Sequence, residues 1–578
     1  MSEKSTFYPH IFPNIEDWPI YKLSEDRRNF VNELEDYTLK YYSRKPNAQV
    51  TDIIAKTMYM ERIRIKEEPW KVDPPNERQF WNRIQNMILN GSPDKQSMES
   101  AKTNQEILRQ IVNRYAEEIV GTFKISTFLF ARKFLTLFFT RLLNTAAGKS
   151  IFGSKHRLSD RMLVKGQIDA VRGLFEKGTV VIVPTHFSNL DSILVGYAMD
   201  TFAGLPSFAY GAGLNLYNTG IAAYFMNRLG AYRVDRRKKN PIYLETLKNM
   251  STLSILRGVN SLFFPGGTRS RAGTLETKLK LGLLGTVVEA QRALYEQGSD
   301  RKVFVVPLVL GYHFVLEAPF LIEQQLRIIG KERYIKSKDD FKSPWKVLKF
   351  AWKFFAESND ITVTFGQPLD VMGNHVDANG DSYDKYGNKI DTRSYFMTDG
   401  QVVENPQREG EYTKILSEKI VERYHKDNVV LSSHLVAFAA FEILKNENSK
   451  LDLYGVLRLP TEDYKFSLPT LYEVINQLKA VLNDMAQRGD IQLSEQINWD
   501  TEHLVKDGIK RMGNYHLKKP LYFNKEKELV SGNFKLLYYY HNRLENYDLD
   551  QKIHWKRPTA ERPVSIKAPV ENLDEFMD

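Results

Sequence analysis

Between about residues 160 and 370, short runs of β-branched and aromatic residues alternate with helical stretches, and nothing else in the chain constrains its fold as much. The runs are Val180–Val183 (VVIV), Ser261–Phe264 (SLFF), Val303–Leu310 (VFVVPLVL) and Ile361–Phe365 (ITVTF). Between them lie stretches with helical spacing, such as Pro241–Arg257 and Lys278–Glu296. Such alternation predicts an α/β fold with βαβ units and a mainly parallel sheet flanked by helices. In that architecture ligands sit at the carboxyl ends of strands. Pro307, inside VFVVPLVL, predicts a bend or bulge, because proline cannot donate to a central ladder.

The flanks read differently. Residues 1–155 form a helical N-terminal region, with apolar residues at three- and four-residue spacing in 76–89 and 104–120. The α/β domain is expected over 156–372, followed by a polar insertion or loop at 373–411. The acidic residues of the insertion invite comparison with a calcium loop. Counted from Asp377, however, Ser382 stands where glycine is needed and Asn388 where a bidentate Glu is needed, so no metal site is expected. A mostly helical C-terminal region spans 412–555, and 556–578 reads as a flexible tail.

Composition removes several chemistries. The chain of 578 residues has no cysteine, which excludes disulfides, zinc–thiolate sites, iron–sulfur clusters and thiol nucleophiles. Its 81 Lys+Arg against 71 Asp+Glu leave a formal charge of +10, a small excess without a nucleic-acid motif, so no nucleic-acid partner is expected. The N-terminus lacks the pattern of a signal peptide, which points to the cytoplasmic side. No window offers eighteen uninterrupted apolar residues, so no conventional membrane span is expected. The nearest candidate is 119–143, rich in Phe and Leu, with Lys124, Arg132, Lys133 and Arg141 as its cations. Those four fall on all sides of a helical wheel, so no clean amphipathic face is visible. Two readings stand equal: an interfacial membrane helix whose cations reach lipid phosphates, or a buried helix between domains.

The chemistry gathers at the ends of the predicted strands. After VVIV comes Pro184-Thr185-His186-Phe187-Ser188-Asn189-Leu190-Asp191, an H-x4-D pair at the start of a helix. A carboxylate so placed orients an imidazole and makes it a usable general base, although a capping Asp beside a structural His has the same spacing. After SLFF comes Pro265-Gly266-Gly267-Thr268-Arg269-Ser270-Arg271-Ala272-Gly273. Its small residues allow close backbone approach to a ligand, and its guanidinium forks match phosphate. Gly230–Arg237 (GAYRVDRR) reads as a further basic turn after an apolar helix.

Four blocks, THFSNLD, GAYRVDR, FPGGTRSRAG and VVPLVLGYHFVLE, together resemble the glycerolipid acyltransferase family that bears the H-x4-D motif. The likeness is greatest to its long membrane-associated branch, the glycerol-3-phosphate acyltransferases. Weaker similarity in IVNRYAEEIVGTF, FGQPLD and LLYYYHNRL extends it over most of the chain. The resemblance implies transfer of a fatty acyl group from a thioester donor, acyl-CoA or acyl carrier protein, to the sn-1 hydroxyl of glycerol 3-phosphate. His186 would be the base and Asp191 its orienting partner, with Arg236 and Arg269 as phosphate ligands. Gly267, Thr268, Ser270 and Arg271 would support substrate binding, as would Lys280, which is offset by one residue from the family's pattern. It also implies no cofactor beyond the thioester, an anionic membrane surface as partner, and a peripheral or monotopic place on the cytoplasmic face of the cell membrane.

Two positions depart from the pattern. Gly266 stands where the family has Glu, and Arg233 stands where it has an apolar residue. The first departure leaves three possibilities open: a substitute carboxylate, with Asp235 and Glu276 nearest in sequence; a different acceptor, such as dihydroxyacetone phosphate or lysophosphatidate; or a weakened, non-catalytic lipid-binding relative.

Overall fold

A computed structural model describes residues 5–90, 98–145, 162–214, 217, 220–328, 360–461, 464–514 and 516–555, with side chains omitted at 138–145, 221 and 222. The expected tail 556–578 and the first residues of the expected α/β domain, 156–161, lie outside the described residues.

The centre is a seven-stranded sheet. In chain order its strands are β1 (Met162–Gly166), β2 (Gly178–Pro184), β3 (Ala209–Gly213), β4 (Ala231–Val234), β5 (Ser261–Leu262), β6 (Lys302–Tyr312) and β7 (Ile361–Phe365), and in space they run β1-β7-β6-β2-β5-β3-β4. Every neighbouring pair is parallel except β6 with β7. Helices flank the sheet, so the α/β, mainly parallel reading holds. All seven residues of β2 are buried, as expected of a central parallel strand covered on both faces. The strands missed in the sequence are short or rich in Gly and polar residues: MLVKG, AYGAG and AYRV.

Pro307 lies in an unbroken β6, in register with Val183. The irregularity is in its neighbour. Phe365 pairs with Leu308 and Leu369 bridges to Val305, so residues 366–368 oppose 306–307 across a bulge. Pro307 accepts from Gly366 N–H at 2.8 Å, and its missing donor falls where the partner chain has turned away.

The N-terminal helices cover one end of the sheet. In the helix Met98–Ile119 the buried residues Ile107, Leu108, Ile111, Val112, Tyr115, Ala116 and Ile119 repeat at helical spacing. They share a core with Leu34, Trp81, Tyr232, Ile242 and Met250. Residues 412–555 are not packed as a separate body: Leu435, Phe438 and Leu537 belong to the same hydrophobic cluster as Val306, Leu308 and Leu310 of β6. The insertion folds as short antiparallel strands, His375–Val376, Ser382–Tyr383 and Lys389–Ile390. Its Asp377 and Asp384 carboxylates accept backbone N–H groups of their own turns, Asp377 from Asn379 and Asp381 at 2.9 Å each.

The 119–143 segment is two elements rather than one. The first helix ends at Ile119 and the next spans Ile125–Thr145. Between them the chain runs extended against 227–231: Gly230 N–H donates to Thr122 O at 2.9 Å and Lys124 N–H to Arg228 O at 2.8 Å.

Candidate active site

β2, β5 and β6 are adjacent and parallel, so the blocks that follow them leave the sheet at one end. His186 is the second residue after β2. Its Nδ1 lies 2.8 Å from Asp191 Oδ2, and its ring stacks on Phe264 with centroids 4.2 Å apart. With Nδ1 donating to a carboxylate, Nε2 is left to exchange protons with a substrate.

Asp191 is completely buried at the start of the helix Asp191–Tyr197. Four donors offset its desolvation: His186 Nδ1, Phe187 N–H at 2.6 Å, Ser188 N–H at 2.8 Å and the Tyr312 hydroxyl at 2.6 Å. Burial and the neighbouring Asp191 charge push the Tyr312 phenol well above its usual range, so it stays a donor.

The loop after β5 is fastened to His186 at both ends of that residue's main chain. Ser270 N–H donates to His186 O at 2.7 Å, and His186 N–H donates to Glu276 Oε1 at 2.8 Å. The Ser270 hydroxyl serves the loop itself, donating to Thr274 O at 2.8 Å and accepting from Gly273 N–H. A Cβ on Gly273 would lie 2.2 Å from Tyr539 O, which shows how closely the C-terminal helix Phe534–His541 backs this loop.

The expected arginines converge. The Arg236 guanidinium donates to Gly267 O. Its pKa is lowered, first by burial and then by the charges of Arg269 and Arg271, so the three cations share one neighbourhood. Among the described residues no carboxylate pairs with Arg236 or Arg271. Arg269 lies 3.2 Å from Glu317 Oε1, and Glu317 also accepts from the Ser188 hydroxyl and Asn189 N–H. Lys280 borders the glycine turn: its N–H donates to Pro265 O at 2.7 Å, and its Cγ is 3.1 Å from where a Gly267 Cβ would stand. Thr268 is exposed at the tip.

Four basic residues, Arg236 to Lys239, follow β4, and the fold separates the first three. Arg237 pairs with Asp235 and Asp73, and Lys238 with Glu118, tying this turn to the N-terminal helices. Arg236 alone of the three turns to the glycine loop. Asp235 is thereby spent on Arg237 and is no substitute for a carboxylate at position 266. Glu276 is placed differently: a Cβ on Gly266 would meet its Cγ at 3.1 Å and its Oε1 at 3.3 Å. Arg233 turns away from the loop, donating to Asn227 Oδ1 at 2.6 Å and lying over the Tyr217 ring.

Tyr312, Glu317 and Arg543 carried no expected role, and Glu276 only that of a possible substitute carboxylate. The first two lie in the quoted block VVPLVLGYHFVLE, and Arg543 lies in LLYYYHNRL. Arg543 is buried, donates to Leu310 O at 2.5 Å and Asn428 Oδ1 at 3.0 Å, and lies 4.2 Å from the Phe187 ring. Glu276 had only proximity in sequence to Gly266.

On the helix Ile125–Thr145, Leu129, Phe130, Phe134 and Leu137 are exposed along one stripe, with Lys133 among them. The opposite side, with Phe128 and Ala131, is buried, so the helix is apolar on both sides. Lys124 is exposed just before the helix. Arg132 points the other way, where it forms a bidentate pair with the buried Asp200 at 2.6 and 2.8 Å. The Arg141 side chain is outside the described residues. None of the described helices is long and apolar enough to cross a membrane. Beneath this helix an apolar cavity of about 130 Å³ is lined by Phe128, Leu135, Ile193, Gly196, Tyr197 and Met226, next to the helix that Asp191 begins.

An Asp-oriented imidazole thus stands beside an arginine loop at the carboxyl ends of parallel strands, a geometry capable of proton transfer next to an anion. The Acyltransferase family model matches residues 163–311. The chain is similar to the glycerol-3-phosphate acyltransferase of Shewanella amazonensis, 27% identical over 275 residues, which cover 47% of this chain and 30% of that protein. It is 33% identical to the enzyme of that name from Aeromonas hydrophila over 172 residues, 29% of this chain and 20% of the relative. It is 26% identical to the one from Pseudomonas paraeruginosa over 273 residues, 47% and 29% of the two chains. The matches thus span less than a third of the length of each of these three relatives.

Proposed function

We propose that the protein is a glycerol-3-phosphate O-acyltransferase. It transfers a fatty acyl group from a thioester, acyl-CoA or acylated carrier protein, to the sn-1 hydroxyl of glycerol 3-phosphate, the opening step of phospholipid synthesis. The observation that carries this reading is the direct fastening of His186 to the arginine loop. It sets a general base beside a cluster of cations suited to a phosphate dianion.

In the proposed reaction His186 Nε2 takes the proton of the C1 hydroxyl as the oxygen attacks the thioester carbonyl. Asp191 stabilises the imidazolium formed. The C–S bond then breaks, the thiol leaves with the proton returned by His186, and the ester remains on the glycerol oxygen. Arg236, Arg269 and Arg271, with Lys280 at the loop's edge, hold the phosphate through charge-assisted hydrogen bonds. No acyl-enzyme and no cofactor enters the scheme.

The protein works in this reading as a peripheral or monotopic protein at the cytoplasmic face of the cell membrane. The exposed stripe Leu129–Leu137, with Lys124 and Lys133, supports an interfacial helix. The adjoining apolar cavity suits part of the acyl chain. The test is transfer of radiolabelled acyl groups from palmitoyl-CoA and from palmitoyl carrier protein to glycerol 3-phosphate, dihydroxyacetone phosphate and lysophosphatidate. Product with glycerol 3-phosphate alone, lost in His186→Ala, supports the proposal. Product with another acceptor alone overturns it.

A further inference from the structure

We infer that Glu276 is a positioning residue for the catalytic base, holding the main chain of His186 against the arginine loop. The inference rests on the acyl-transfer reading of His186 in naming it the base, but its geometric core does not.

His186 N–H donates to Glu276 Oε1, while His186 O accepts from Ser270 N–H. Both partners lie on the one loop that also carries Gly267, Arg269 and Arg271. One segment therefore sets the distance between the imidazole and the cations on either side of a bound acceptor. Gly266 is part of the arrangement. Its missing side chain leaves the space in which the Glu276 carboxyl sits, since a Cβ there would approach Glu276 Cγ at 3.1 Å.

The carboxyl is retained against its own cost. Glu276 Oε2 is buried with no hydrogen-bond partner, and burial raises the group's pKa to about 7. A leucine would fill the same volume without that penalty, but it would leave the His186 N–H unsatisfied. The buried Arg543 guanidinium and the His186 ring add favourable charge to the ionised carboxyl. These surroundings come from three separate segments, which is what a part built to fix a loop requires.

The test uses the full chain with palmitoyl-CoA and radiolabelled glycerol 3-phosphate, with kcat and KM resolved. Small displacements of a reacting group cost about 10²-fold, so Glu276→Leu is expected to lower kcat by about that factor while leaving KM for glycerol 3-phosphate within about threefold. Glu276→Gln keeps an oxygen for the same N–H and is expected to stay within about fivefold of wild type. The double variant Gly266→Glu with Glu276→Ala brings a carboxylate into the same space from the other side of the turn. It is expected to recover about tenfold over Glu276→Leu.

Deuterium exchange of the 185–190 peptide reads the N–H bond without turnover. It should quicken in Glu276→Leu and not in Glu276→Gln. Wild-type kcat in Glu276→Leu, equal damage in Glu276→Gln, or unchanged exchange in both would overturn the inference. A wild-type chain that transfers nothing to glycerol 3-phosphate would instead overturn the functional reading, and the exchange comparison would still decide the role of Glu276.

Discussion

Tyr312, at the last position of β6, donates its hydroxyl to Asp191 Oδ1 at 2.6 Å, across 121 residues of sequence. The other oxygen of that carboxylate holds His186 and two backbone N–H groups. His186 is therefore oriented by a carboxylate that is itself fixed from a second strand.

Removing that support should be visible without abolishing the site. Tyr312→Phe leaves the ring in place and deletes one charge-assisted bond to a buried carboxylate, a loss of roughly 1.5–3 kcal/mol. We expect lower thermal stability and a kcat reduced by about 10-fold, against about 10²–10⁴-fold for His186→Ala. Calorimetry and steady-state kinetics on the two variants check the ranking, and equal losses would remove Tyr312 from this role.

The arginines should act on the acceptor. Lysine cannot reproduce a bidentate fork, so Arg236→Lys and Arg269→Lys should raise the KM for glycerol 3-phosphate and lower kcat/KM by about 10- to 150-fold. The KM for the acyl donor should stay near wild type. A shift confined to the donor would reassign these cations to the phosphates of coenzyme A.

Glu276 makes stability depend on pH. Its carboxyl titrates at about 7 in the folded chain against 4.5 for the ordinary group. The folded state thus holds the proton more tightly, and the stabilisation is complete below about 4.5 and lost as pH rises through about 7. Glu276→Gln cannot ionise. Relative to wild type it should gain on the order of 3 kcal/mol between pH 4 and pH 8. Urea unfolding at the two pH values measures this, and a constant difference would show that folding leaves the carboxyl's pKa unchanged.

The cations of the 119–143 segment should separate into two classes. Lys124→Gln and Lys133→Gln should each weaken sedimentation with anionic vesicles by about 1 kcal/mol, and Phe130→Ser with Phe134→Ser should weaken it further. Arg132→Gln should leave vesicle binding unchanged and lower stability by roughly 1–3 kcal/mol, because the buried Asp200 would keep His10 as a partner but lose its bidentate guanidinium. Equal effects of Arg132 and Lys133 on vesicle binding would contradict the placement.

Much was legible before any coordinates. The buried runs VVIV, VFVVPLVL and ITVTF become β2, β6 and β7, and the H-x4-D pair and arginine loop follow β2 and β5. Strand pattern and motif spacing are local properties, written within about ten residues, and neighbouring parallel strands necessarily bring their carboxyl ends together. The rest depends on contacts between segments far apart in the chain. Arg236, Arg237 and Lys238 look alike in sequence, yet Asp73 and Glu118 of the N-terminal helices claim the last two. Arg132 and Lys133 are adjacent, but one helical step turns the first to Asp200 and the second to solvent. The irregularity expected at Pro307 falls on its partner strand. Gly266 alone is a missing carboxylate, and only the fold brings Glu276 into the space it leaves. Sequence determined which groups this protein possesses and the strand ends that bear them. The tertiary structure decided which of them are spent on one another, because hydrogen bonds and ion pairs are settled by distance in space.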